Sequence, residues 1–233
     1  MVVESMVAAA APATLPSMSS APLLHARFVT PAAWAVPMRA HTDALLVEQA
    51  HLEKKAAACA VQFLFRIPVA GQSHKALSAL AREELVHFER TLRLLQQRGI
   101  VFCTRPPCPY AAELKAHCSS RMPERLVDEL LVAGVIEARS HERLQLLATA
   151  LRGVDDELAT FYDELGAAEE RHEGIYVEAA TEVMPRAQVD ERHRRMLAHE
   201  AAVLERLPWA VHLHSGLHGG DLGGFGEAGG AHG

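Results

Sequence analysis

Two Glu-x-x-His tetrapeptides, one from Glu84 to His87 and one from Glu169 to His172, constrain this chain more than any other feature. Each lies in a stretch of helical period, where positions i and i+3 share a face, so that a carboxylate and an imidazole reach toward one point. A single such tetrapeptide carries little weight, since Glu48 and His51 have the same spacing. The weight comes from partners upstream: Glu53 precedes Glu84 by 31 positions, and Glu137 precedes Glu169 by 32. If each interval folds as an antiparallel helical hairpin, equal rise per residue brings paired residues to one height, and six side chains converge on one layer.

The surrounding pattern predicts those hairpins. Helical periodicity runs from Asp43 to Arg66, with Thr42 or Asp43 as N-cap and Pro68 beyond the end. A second segment is capped by Ser73 and runs to Arg98, where Gly99 supplies the stop. Residues 100–123 hold four prolines and three cysteines, which predicts a long connection with one short helix near Tyr110 to His117. Pro123 opens a third segment reaching about Ala150. Gly153 breaks it, Asp155 or Asp156 caps a fourth that stops before Pro185, and a fifth spans about 187–206. Aromatics are only 5% of the chain, which favours closely packed helices over sheets. The expected fold is all-α: a ferritin-like four-helix bundle with one long crossover connection and an additional C-terminal helix, occupying residues 31–206. Residues 1–30, rich in Ala, Pro and Ser, read as a disordered extension, and residues 207–233 as a disordered Gly/His tail in which His212, His214, His218 and His232 are solvated.

The six residues fall on apolar stripes. Leu77, Leu80, Glu84, His87, Thr91 and Leu95 share one face of the second helix; Leu158, Leu165, Glu169, His172 and Tyr176 share one face of the fourth. Leu46, Glu53 and Ala60 do the same in the first, and Leu130, Glu137 and Leu144 in the third. Four buried glutamates without counter-charge are prohibitively costly, and two divalent cations cancel their charge with both histidines neutral. The expected metal ligands are therefore Glu53, Glu84, His87, Glu137, Glu169 and His172, in the arrangement of di-iron and di-manganese bundles. Glu84 and Glu169 are candidates for bridging the two ions. His51 lies about 200° around the helix from Glu53, so it and Glu48 are set aside as ligands. Glu83, Glu89, Glu142 and Glu170 read as solvated groups or hydrogen-bond partners of ligands, and Arg82 and Arg139 as donors that orient the ligands. Tyr162 shares the Glu169 face and reads as a core tyrosine with a satisfied hydroxyl. Cys103, Cys108 and Cys118 with His117 match no standard zinc-finger spacing.

Several longer motifs carry a family resemblance over about Phe28 to Arg206. These are Thr-Pro-Ala-Ala-Trp at 30–34, Glu-Lys-Lys-Ala-Ala at 53–57, Ala-Arg-Glu-Glu-Leu-Val-His-Phe-Glu at 81–89, Arg-Gly-Ile at 98–100, Ile-Glu-Ala-Arg-Ser at 136–140 and Glu-Glu-Arg-His at 169–172. With them the chain resembles the tRNA 2-methylthio-isopentenyl-adenosine hydroxylases (MiaE-like). The resemblance implies a ferritin-like bundle whose two iron ions, held by the same six residues, use O2 as co-substrate to hydroxylate the isopentenyl group of a modified adenosine beside the tRNA anticodon. It implies two partners, that tRNA and an external electron donor or reductase of unidentified kind. The N-terminal extension, the cysteine-bearing connection and the Gly/His tail depart from the family pattern.

Net charge is −6, which argues against an indiscriminate nucleic-acid binder. Yet residues 66–125 contain ten Lys or Arg against five Asp or Glu. Arg66, Arg90, Arg93, Arg98, Arg105, Lys115, Arg121 and Arg125 are accordingly candidate tRNA contacts. Four cysteines without a disulfide framework point to a reducing cytoplasm, and no apolar run suits a membrane span. The competing functions are a ferritin-like oxidase or iron-handling protein without a tRNA substrate, a di-manganese catalase, and a helical interaction module with a purely structural cluster.

Overall fold

Two antiparallel helical hairpins, joined by a long crossover, build the domain in the computed structural model, which describes residues 28–217. The first hairpin pairs α1 (Thr42–Leu64) with α2 (Ser73–Gln97), and the second pairs α4 (Glu124–Leu151) with α5 (Asp156–Thr181). The crossover carries the short α3 (Tyr110–Lys115), and α6 (Arg186–Arg206) packs on α3 and α4. Every expected helix is present within a few residues of its expected ends, so the all-α bundle with one long crossover and an extra C-terminal helix stands. Among the described residues there is no strand ladder, and no helix is long and apolar enough to cross a membrane.

Local chemistry sets the helix ends. Gly99 adopts φ 67°, and Ile100 N–H closes on the Leu95 carbonyl, a left-handed cap that only glycine takes without cost. Asp155 caps α5 by accepting from Leu158 N–H at 3.0 Å. Ser73 does not cap α2 as expected. The Glu182 carboxylate, from beyond the end of α5, accepts from Gln72 N–H, Ser73 N–H and the Ser73 hydroxyl, so the cap is tertiary and joins the two hairpins.

Two apolar clusters divide the bundle interior along its length. At one end Trp34, Leu46, Leu95, Leu144, Leu158, Tyr162 and Leu165 pack together; at the other lie Phe63, Leu77, Leu80, Leu130, Tyr176 and Val177. The six predicted ligands fall in sequence between the residues of these clusters on all four helices, so a polar layer is sealed above and below.

The C-terminal segment departs from expectation. Residues 207–217, assigned above to a disordered tail, pack back onto the bundle, with Leu213, His214 and Ser215 buried. Glu48 accepts from Leu213 N–H at 2.8 Å and pairs with His212 Nδ1 at 2.6 Å. The Arg143 guanidinium donates to the carbonyls of Leu213 and Ser215, both at 2.7 Å. The segment has no apolar period of its own and is held by these long-range polar contacts together with the packing of Leu213, Trp209 and Val211 on the core. Thr30, placed in the extension, is also buried and bonds to Glu142. The remainder of both expected termini lies outside the described residues.

Candidate metal centre

Glu53, Glu84, His87, Glu137, Glu169 and His172 are all buried, none more than 5% exposed. Their potential donor atoms form two groups, Glu53–Glu84–His87 and Glu84–Glu137–Glu169–His172, within each of which all atoms lie within 4.8 Å of one another. Glu84 belongs to both. His87 Nδ1 stands 3.7 Å from carboxylate oxygens of both Glu53 and Glu84, and His172 Nδ1 stands 2.7 Å from Glu84 and 3.5 Å from Glu169. Despite this proximity, both oxygens of Glu84, Nδ1 of both histidines and Oε2 of Glu169 make no hydrogen bond of acceptable geometry. Buried polar atoms are ordinarily satisfied, so lone pairs left open and facing one another fit a bound cation.

The electrostatics agree. Burial pushes Glu53 up to about 8 and raises Glu137 and Glu169, the last well above the carboxylate range with Glu137 adding to the effect. Burial pulls His87 down, but Glu53 and Glu84 outweigh it and hold it up at about 9. For Glu84 burial pushes up and loses to His172 and His87, which bring the group to about 2. Without a cation, then, the layer balances its charge by keeping protons, and divalent ions would take their place.

Two neighbours orient the ligands. Gln49, one turn before Glu53, donates from Nε2 to its Oε1 at 2.7 Å. Glu83 lies 3.2 Å from His172 Nε2 and is itself held by Arg171 at 2.6 Å. Gln49 was missed in the sequence although its i−4 position places it on the ligand face. Arg82 and Arg139 do not take the role expected of them. Arg82 is exposed and donates to Ser78, while Arg139 points away to Glu200, Glu142 and Thr30. Both lie two residues from a ligand, hence on the far side of their helices.

A cavity of about 660 Å³ opens between α1, the crossover and α4, and its buried lining, or floor, includes Glu53, Glu137 and Glu169. Leu52, Ala56, Ala133, Ile136 and Tyr110 give it an apolar lining, and the exposed Lys54, Lys55 and Lys115 with the half-buried Arg105 form its rim. Its size lies within the ordinary range for small-molecule sites.

Four of the eight basic residues expected to contact tRNA are ion-paired. Arg98 binds Asp155 and Glu157, Arg66 and Arg125 share Glu129, and Arg90 pairs with Glu164. Arg93 and Arg121 form no ion pair among the described residues, and of the eight candidates only Arg105 and Lys115 line the cavity. The cysteines gather no metal site: among the described residues the only two candidate groups are those of the bundle, and Cys108 donates instead to the His214 carbonyl. Tyr162 is buried as expected, but its hydroxyl has no partner.

An all-helical bundle with one Glu from each of two helices and Glu-x-x-His from each of the other two defines the ferritin-like class, and this cluster fits a di-iron site. Residues 20–215 match the family described as tRNA-(MS2IO6A)-hydroxylase (MiaE), and the chain belongs to that family. A tRNA 2-(methylsulfanyl)-N(6)-isopentenyladenosine(37) hydroxylase of Pseudomonas putida is 33% identical over 188 residues, covering 81% of this chain and 90% of that one. Its namesake from Salmonella typhimurium is 35% identical over 104 residues, 45% of this chain and 37% of the other. A solved structure described as Protein 43 with aldehyde deformylating oxygenase activity from Synechococcus superposes with a TM-score of 0.75 at 39% identity, covering 82% of this chain and 95% of that one.

Proposed function

We propose that this protein is an O2-dependent di-iron monooxygenase that hydroxylates the isopentenyl group of 2-methylthio-isopentenyl-adenosine next to the tRNA anticodon. The observation that carries the reading is the buried Glu/His layer at the floor of an open cavity, in a chain of this family. Glu53, Glu84, His87, Glu137, Glu169 and His172 would hold the two ions, with Glu84 common to both. When bound, the iron supplies the electrons that activate O2 and thereby the oxygen delivered to the substrate carbon. Gln49 and Glu83 fix the orientation of Glu53 and His172. The apolar lining of the cavity, at Leu52, Ala56, Ala133 and Ile136, excludes water and packs the isopentenyl chain. One turnover takes two electrons beyond those of the C–H bond, so an external donor belongs to the reading. A tRNA substrate places the work in the cytoplasm.

A second reading is aldehyde deformylating oxygenase activity, favoured by the 39% identity to the Synechococcus protein. The two separate in cells lacking the gene, complemented with the wild type or Glu169→Ala. Under the tRNA reading, mass spectrometry of tRNA nucleosides finds one added oxygen on the isopentenyl-adenosine with the wild type alone. Nucleosides that never differ, together with loss of an aldehyde supplied to the purified iron-loaded protein, would move the assignment to the second reading.

A further inference from the structure

We infer that Lys54, Lys55, Arg105 and Lys115, at the mouth of the cavity, hold the phosphates flanking the modified nucleoside, so that the anticodon loop docks on the α1–crossover face and not on the outer face of α2. The inference rests on the tRNA reading and adds to it the docking face.

The charged residues lining this cavity are segregated by burial, the acids buried and the lysines exposed. Its acids are Glu53, Glu137 and Glu169 at the floor, and Glu48, whose oxygens are occupied by His212 and Leu213 N–H of the C-terminal segment. Its cations are four, and Lys54, Lys55 and Lys115 are exposed. None of these three lysines pairs with an acid among the described residues, whereas Arg66, Arg90, Arg98 and Arg125 all do. An ion-paired arginine must surrender its acid before it can take a phosphate, while Lys55 and Lys115 give up only water and counterions, and Lys54 in addition a cation–π contact with the Phe102 ring, whose centre lies 5.2 Å from its Nζ. Arg105 is half-buried, with one Nη on the Val211 carbonyl and its Nε buried without a partner.

Apart from rim and floor the wall is mainly apolar. A prenylated base, neutral and greasy, suits that apolar lining, and phosphates are repelled by the acidic floor and attracted to the rim. An RNA loop whose base is splayed out of the stack has this sequence of chemistries, with charge on the backbone and none on the extruded base. The rim draws on two elements distant in sequence, α1 and the crossover with α3, which explains why the count of basic residues over 66–125 included Arg105 and Lys115 and left out Lys54 and Lys55.

The test measures binding of an anticodon stem-loop carrying the prenylated adenosine to the iron-loaded protein under anaerobic conditions, across salt from about 50 to about 200 mM. The variant Lys54→Gln/Lys55→Gln/Lys115→Gln is expected to bind at least ~10-fold more weakly, with a salt slope shallower by about 2, as loss of three single-strand phosphate contacts gives. The same three lysines changed to arginine keep the affinity, and Arg90→Gln/Arg93→Gln binds as the wild type does. Wild-type affinity in the triple Gln variant, or loss confined to Arg90→Gln/Arg93→Gln, overturns the docking face while leaving the tRNA reading intact. A wild type that does not bind the stem-loop at all overturns both.

Discussion

Glu83 reaches across from α2 to lie 3.2 Å from Nε2 of His172 on α5, and so leaves Nδ1 of that ring facing Glu84 and Glu169. The neighbouring Glu84 turns into the metal layer while Glu83 stays at its edge, where Arg171 holds it. A carboxylate on the remote nitrogen fixes the tautomer and orientation of a metal-binding imidazole. Glu83→Ala is therefore expected to weaken iron binding by ~10 to 100-fold with helicity unchanged, and Glu83→Gln, which keeps an acceptor oxygen, by less. Anaerobic ferrous titrations decide this; equal affinities in all three proteins would remove Glu83 from the centre.

Arg139 stabilises the domain without serving the metals. Its guanidinium meets Glu200 at 2.8 and 3.0 Å, and Tyr110 donates to the same carboxylate, all of it buried. Removing one member of a buried pair leaves the other uncompensated, so Arg139→Met is expected to cost about 3–5 kcal/mol in denaturant unfolding. Breaking the half-exposed Arg90–Glu164 pair should barely register. Iron content of refolded Arg139→Met should match the wild type, and a selective loss of iron would restore the ligand-orienting role.

Glu48 anchors residues 207–217 through His212 and Leu213. Glu48→Ala leaves a buried N–H unsatisfied and is expected to destabilise by about 1–3 kcal/mol. Limited proteolysis should then cut between 207 and 217 well before the helices, a difference absent if the segment is held by other contacts.

Acid should loosen the same segment. Burial, followed by the Arg143 and Arg139 guanidiniums and His212, presses His214 down to about 3 from the 6.5 of a free imidazole. The ring stacks on Tyr110 and bonds to Ser140, so the folded protein keeps it neutral. Between those two values the unfolded chain binds the extra proton, so this contribution is complete above about 6.5 and is lost as pH falls toward 3. Melting temperatures should decline over that window, and less steeply in His214→Gln. Buried His193, also depressed, is common to both proteins and cancels in the comparison. Parallel declines would show that His214 titrates normally.

The bundle and its six inward residues were legible because helical period, turn residues and charge balance all point to one arrangement. Matched intervals of 31 and 32 residues set the height of the ligands, and the stripes set their direction. What escaped depended on contacts between distant segments. The anchoring of Leu213 by Glu48 has no periodic signature, and the acids that neutralise Arg66, Arg90 and Arg98 lie on α4 and α5. Arg82 and Arg139 were a different kind of error. The rotation of about 200° that excluded His51 beside Glu53 applies equally to them, two residues from Glu84 and Glu137.

Glu84 is the side chain common to both metal-capable groups, and its replacement tests the two-ion centre most directly. Each variant would be loaded anaerobically with ferrous iron, freed of excess and analysed for metal per chain. The expected values are about two for the wild type, about one for Glu53→Ala and well under one for Glu84→Ala, with helical content alike in all three. Glu84→Ala retaining both ions would contradict the shared-carboxylate centre on which the proposed oxygenase chemistry depends.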